Sequence, residues 1–302
     1  MVGGSCKEKI LGRMHLLTNT EAKLAAYILE HYEEVLNCNI TELAEEAGVS
    51  DASVVRFCKS VGYKGYQDFK VNAARDVLPR DKHFNPSLEQ GDDPETICRK
   101  IFASEVNVLN RTLAGIDLPL LTKVADQIRS AKRLVFFGSG GSLLVGKDAQ
   151  HKFMKIGIRA FVYDDVDMQL MVSSLMEEGE LAFGISHSGS NCNVINCLRN
   201  ARENGVDTVA LVSQGKTPLS KIADVVLYSS AEETIFQSES VSTRIAQLAM
   251  IDTLVAIVAF EDYEDSYTAI QAGPELHRLG VCWLEEPVPF EDLEGMQRIS
   301  RE

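Results

Sequence analysis

The chain has 302 residues, 45% of them hydrophobic and 25% charged, the balance of an ordinary globular protein with room for two compact domains. Acids outnumber bases 44 to 30 for a formal charge of −14, yet this does not exclude a nucleic-acid partner, because binding depends on where the positive charge sits. The polar start at residues 1–9 lacks a signal-peptide core and no apolar run reaches the roughly 18 residues of a membrane span, so a cytoplasmic protein without membrane contact is expected.

Residues 20–74 have a helical pattern throughout, with apolar residues three and four apart. Leu24, Ala25, Ile28 and Leu29 make one stripe, Ile40, Leu43, Ala44 and Ala47 a second, and Val54, Val55, Phe57, Cys58 and Val61 a third. The sharpest local pattern lies at residues 40–58. A helix ends near Ala47, Gly48 supplies a left-handed C-cap, and Ser50 is placed to cap the next helix. Two short helices across such a turn fit a helix-turn-helix. In that motif the start of the second helix meets base edges in the major groove, here Ser50, Asp51, Ala52, Ser53 and Arg56. Arg56 and Ser53 suit base or phosphate contacts. Lys59, Lys64 and Lys70 suit phosphate contacts that carry no sequence information. Residues 56–75 carry Arg56, Lys59, Lys64, Lys70 and Arg75 against the single acid Asp68. On the motif alone, an all-helical bundle with no nucleic-acid role stays open.

Taken whole, residues 17–77 resemble the N-terminal domain of the RpiR family of bacterial regulators. The matching residues are Glu21, Ala25-x-Tyr27-Ile28-Leu29, Ile40-x-x-Leu43-Ala44, Gly48-Val49-Ser50-x-Ala52-x-Val54-Val55-Arg56-Phe57-Cys58 and Gly62-Tyr-Lys-Gly-Tyr66-x-x-Phe69-Lys70. The resemblance implies DNA binding as a dimer on an inverted repeat.

Residues 79–95 turn polar, with Pro79, Pro86, Gly91 and Pro94 among charges, and read as a linker after a domain at 1–78. Helical pattern resumes at 94–116 and 119–130. From Arg133 short apolar runs alternate with helical segments. Strands are expected at 134–137, 160–163, 181–185, 208–212 and 225–228, and helices at 143–156, 167–176, 193–204 and 240–260. This alternation implies a doubly wound parallel sheet, so the expected fold is an all-helical domain followed by an α/β domain over 96–272.

Two Gly/Ser loops each follow an expected strand and open a helix: Gly138-Ser139-Gly140-Gly141-Ser142 and Ser186-His187-Ser188-Gly189-Ser190-Asn191. Helix N-termini and serine hydroxyls offer donors to an anion, and glycine lets it approach the backbone. Neither nucleotide fingerprint is complete. Position 143 is Leu rather than the third glycine of Gly-x-Gly-x-x-Gly, and Gly215-Lys216-Thr217 lacks the leading glycine of a P-loop, which is Ala210 here. A small phosphate fits better; tight βα turns without a ligand remain the alternative.

Residues 133–260 resemble the sugar isomerase (SIS) domain that RpiR regulators carry after their DNA-binding domain. The match rests on the two loops, on Gly205-Val-Asp-Thr-Val-Ala-Leu-Val-Ser213 and on Ser242-x-Arg244-Ile245-Ala246-Gln247-Leu248. The resemblance implies that Ser139, Ser186, Ser188 and Asn191 contact the phosphate of a phosphorylated sugar, with Gly140, Ser142, His187 and Glu239 completing the expected site. The family often has Thr where this chain has Asn191. In true isomerases of this fold a Glu or His moves the proton, so Glu239, His187 and His151 are the candidates here.

The leading expectation is therefore a regulator whose binding to a double-stranded operator is modulated by a phosphosugar, without enzymatic activity and as a homodimer or homotetramer. A sugar-phosphate isomerase with an accessory helical domain is the second reading, and a helical adaptor with a vestigial sugar domain the third. For the first, the effector would shift dimer geometry, and the 79–95 linker would carry that shift to the spacing of the recognition helices.

Seven scattered cysteines (Cys6, Cys38, Cys58, Cys98, Cys192, Cys197 and Cys282), never spaced Cys-x-x-Cys, argue against a disulfide framework or zinc knuckle. The tail at 273–302 is atypical. Residues 274–293 resemble a fragment of the enolase superfamily, its mandelate-racemase-like acid-sugar dehydratases, in which the carboxylate matching Glu285 binds magnesium. One strand cannot make a (β/α)₈ site, so neither metal nor cofactor is expected.

Overall fold

The computed structural model describes residues 5–36, 38–77, 88–89, 91–213, 215–230 and 241–278. The N-terminal part is helical, as its periodicity predicts: α1 (Cys6–Arg13), α2 (Asn19–Glu30), α3 (Tyr32–Val35), α4 (Ile40–Ala47), α5 (Asp51–Ser60) and α6 (Tyr66–Val77). Ile10, Leu24, Ile28, Leu43, Phe57 and Phe69 are fully buried in one core. Helix α1 lies ahead of the expected helical stretch. It buries only Cys6 and Ile10, one turn apart among charges, which is too weak a stripe to read in advance. Its start is fixed by a reciprocal cap between Ser5 and Glu8, as α2 is by Thr18 and Glu21 and α4 by Asn39 and Glu42. Gly48 adopts φ 63°, ends α4 in the left-handed region and turns the chain into α5, whose Ser50 side chain accepts from the Ser53 N–H.

Helices α7 (Pro94–Ala114) and α8 (Leu118–Ser130), capped by Asp93 and Asp117, lead into the second core. Then β1 (Leu134–Phe137), α9 (Gly141–Lys155), β2 (Ala160–Val162), α10 (Val166–Ser174), β3 (Leu181–Ile185), α11 (Cys192–Glu203), β4 (Asp207–Ser213) and β5 (Val225–Ser229) alternate, followed by α12 (Val241–Glu261) and α13 (Tyr263–Arg278). The five strands form one sheet in the order β2-β1-β3-β4-β5, and every neighbouring pair is parallel. Alternate residues face opposite sides. Leu134 and Phe136 join the core with α8, α9 and α12, while Val135 and Phe137 join the core with α11.

Ser242–Glu261 is long and apolar enough to pass for a membrane span, with mean hydropathy 1.6, contrary to the expectation that no such run exists. In this fold the composition has a local cause: Met250, Ile251, Leu254 and Val258 pack beneath the sheet. Helix α13 runs across position 273, where the atypical tail was expected to begin, and residues 279–302, including Glu285, lie outside the described residues.

The strand order reverses between β1 and β3, and in such sheets ligands bind at the carboxyl ends on either side of that switch. Both Gly/Ser loops leave the sheet there. For the helical domain, Gly48→Ala forces a β-carbon into the left-handed region and should cost about 1–2 kcal/mol, read as a lower thermal midpoint of that domain with the α/β domain unchanged.

Candidate functional site: an anion pocket and a DNA-facing helix

Ser139, Gly140, Gly141 and Ser142 of the first loop and Ser186, His187, Ser188 and Asn191 of the second line one cavity of about 180 Å³. Its remaining lining is Ile185 at the end of β3 and Thr243, Arg244 and Gln247 on the first turns of α12. The cavity is smaller than the roughly 300–1,000 Å³ of drug-sized sites and suits a compact polar ligand. The loops thus converge as expected, whereas Glu239 lies outside the described residues. His151 is exposed on α9 and is not among the lining residues.

The electrostatics of this pocket are one-sided. Helix α9 begins at Gly140–Gly141 with no side-chain cap, leaving its positive end open to the pocket. The Arg244 guanidinium sits against that end: a β-carbon on Gly141 would lie 2.9 Å from its Nη2. Arg244 is the single formal charge among the described lining residues. A cation beside a helix N-terminus is repelled unless an anion lies between them. Arg244 Nε and Gln247 Nε2 are buried with no hydrogen-bond partner among the described residues, and Gln247 is 1% exposed. On the other wall Asn191 caps α11, its Oδ1 accepting from the Val194 N–H at 3.1 Å. Its amide NH₂ is the part left to donate.

Side chains outside the pocket hold its walls in place. Gln169 of α10, 1% exposed, grips the base of the first loop: its Oε1 accepts from the Gly138 N–H (3.3 Å) and its Nε2 donates to the Gly138 carbonyl (3.0 Å). The same amide donates to the Tyr163 carbonyl and accepts from Asn193 of α11, so one residue ties β1, β2 and α11 together. Helix α7 holds both α12 and the end of β5: the Ser242 hydroxyl donates to Glu105 Oε1 (2.9 Å), and Thr112, two turns further along α7, accepts from the N–H of Ser230, just past β5 (3.0 Å). Arg244 and Gln247 lie within the stretch that resembles a SIS domain, where the sequence assigns them no role. Two polar residues three apart at the head of a very apolar helix were the available signal. Gln169 carried none.

On the helix-turn-helix, Ser50, Ala52, Arg56, Lys59 and Lys64 are exposed. Three of the residues expected to contact DNA are engaged within the domain. Ser53 is 6% exposed and bonded to Ser50 and Arg56. Asp51 accepts from the buried Thr41 hydroxyl (3.0 Å) and fastens α5 to α4. Lys70 is 4% exposed, because Tyr66, Phe69, Lys70, Ala73 and Ala74 form the inward stripe of α6. Behind α5, the Ser60 hydroxyl donates to Glu21 (2.6 Å) and, with the Thr18 backbone N–H, holds that carboxyl below the ordinary glutamate range.

The helix-turn-helix domain of the rpiR family matches residues 4–78, and the SIS domain matches residues 127–257. An HTH-type transcriptional regulator of Caldanaerobacter subterraneus is 35% identical over 82% of this chain and 88% of its own length. The HTH-type transcriptional regulator HexR of Escherichia coli is 31% identical over 82% and 85%. Among solved structures, the Vibrio vulnificus NanR protein complexed with ManNAc-6P superposes with a TM-score of 0.74 at 27% identity, covering 90% of this chain and 97% of that one.

Gln169→Leu keeps the size of the side chain but strips the Gly138 amide group of its partners, at about 1–3 kcal/mol for each buried group left unpaired. The expected result is a lower denaturation midpoint of the α/β domain with faster amide exchange at 138–142, and unchanged exchange there would contradict the assigned role.

Proposed function

Because the chain belongs to the rpiR family of helix-turn-helix transcriptional regulators and carries a SIS domain, we propose that it binds an operator and that a phosphorylated sugar in the α/β domain modulates that binding. The observation that carries the ligand half is the meeting of two Gly/Ser loops, an uncapped helix N-terminus and Arg244 in one polar pocket. Ser139, Ser186 and Ser188, with the Asn191 amide, take the phosphate. Arg244 supplies the countercharge, and Gln247 and Thr243 face the sugar. The NanR complex with ManNAc-6P supports a phosphosugar rather than a nucleotide. That the curated relatives are regulators speaks for sensing over isomerisation.

On the DNA side, Ser50, Ala52 and Arg56 face the bases while Lys59 and Lys64 face phosphates. Two copies read an inverted repeat, and the protein works in the cytoplasm, where operators are. Asp51, Ser53 and Lys70 keep these groups in place.

Fluorescence anisotropy on the DNA flanking the chain's own gene, at one fixed salt concentration with and without a panel of sugar phosphates, tests both halves. Specific binding changed by a phosphosugar is expected. Arg56→Ala should weaken it by about 1–3 kcal/mol, roughly 5- to 150-fold, if the arginine reads a base. Absence of specific binding, or turnover of a phosphosugar by the purified protein, would overturn the proposal.

A further inference from the structure

The chain just after β4 touches both halves of the molecule. On one side it is laced to the second anion loop. The Ser213 N–H and hydroxyl both donate to the His187 carbonyl (3.0 and 2.7 Å), and the Leu219 N–H donates to the Gly189 carbonyl (2.9 Å). Thr217 is 1% exposed and packs on Gly189, which has φ +58°. A β-carbon there would lie 2.2 Å from the threonine oxygen, so only glycine fits. On the other side the same turn meets α4, the first helix of the helix-turn-helix. The Lys216 ammonium pairs with Glu45 at 3.2 Å. A β-carbon on Gly215 would lie 3.0 Å from the Glu42 carboxylate and 3.3 Å from the Asn39 amide, the two residues that cap α4.

We infer that this turn, Ser213 with residues 215–219, couples the anion pocket directly to the DNA-binding helices, a route separate from the 79–95 linker. The inference rests on the reading of the pocket as an anion site. An anion held by Ser186, Ser188 and Asn191 restrains the His187 and Gly189 carbonyls. Those carbonyls anchor Ser213 and Leu219, which sets where Lys216 meets Glu45. Helix α4 passes the restraint to α5 through Thr41–Asp51 and through the core that Leu43 and Val54 share. Regulation of this kind needs only that the ligand favour one arrangement over another. The Lys216–Glu45 side chains are 73% and 49% exposed, and exposed pairs are weak, so a change of a few-fold is expected rather than an all-or-none switch.

Hydrogen–deuterium exchange of the full chain, with and without saturating inorganic phosphate, separates the possibilities. The expected result is slower exchange at 186–191 accompanied by slower exchange, by a few-fold, across α4. In Lys216→Glu, which sets an acid against Glu45 and Glu42, the loop should still respond while α4 does not. The charge swap Lys216→Glu with Glu45→Lys should restore the response of α4. Protection of 186–191 with α4 unmoved in the unmodified chain would overturn the coupling and leave the pocket assignment standing. No protection at 186–191 would overturn the anion site and the coupling built on it.

Discussion

The arrangement on which the rest depends is a cation placed at the positive end of a helix. Arg244 reaches from α12 to the start of α9, which has no side-chain cap, and its buried Nε has no partner among the described residues. Two positive groups side by side on the wall of a polar cavity are held there by the scaffold, not by mutual attraction. Sheet topology brings the loops after β1 and β3 side by side, Gln169 locks the base of the first, and Glu105 holds α12 against α7. An anion is the group that turns this arrangement from repulsive to attractive, and a phosphate also matches the hydroxyl and backbone donors around it.

Much of this was legible in the sequence, and for definite reasons. Helical periodicity located α4 and α5, and Gly48 fixed the turn between them because the left-handed C-cap suits no other residue as well. The strands stood out as short apolar runs because a parallel sheet is covered on both faces. The two Gly/Ser loops were visible as local strings. What periodicity left ambiguous was the burial of polar residues. Lys70 falls on the inward stripe of α6, and Ser53 sits on the inner side of α5, although both types usually point to solvent. Arg244 and Gln247 leave only a faint local mark, two polar residues at the head of an apolar helix, and Gln169 leaves none, because their roles depend on neighbours tens to a hundred positions away.

Two routes lead from the pocket towards the DNA-binding helices. One follows the chain: α12 is tied to α7 by Ser242–Glu105, and α7 begins where the expected linker ends. The other crosses space, from the 186–191 loop through the turn after β4 to α4. Both start at pocket walls that a ligand would join. Neither requires a large rearrangement, since coupling energies of about 1–3 kcal/mol suffice for regulation.

If the anion and operator sites are thermodynamically linked, the linkage is reciprocal. The most direct test is calorimetric titration of the effective phosphosugar into the free protein and into the protein saturated with operator. Operator is expected to change phosphosugar affinity by the same factor by which phosphosugar changes operator affinity. Equal phosphosugar affinity with and without bound operator would contradict it.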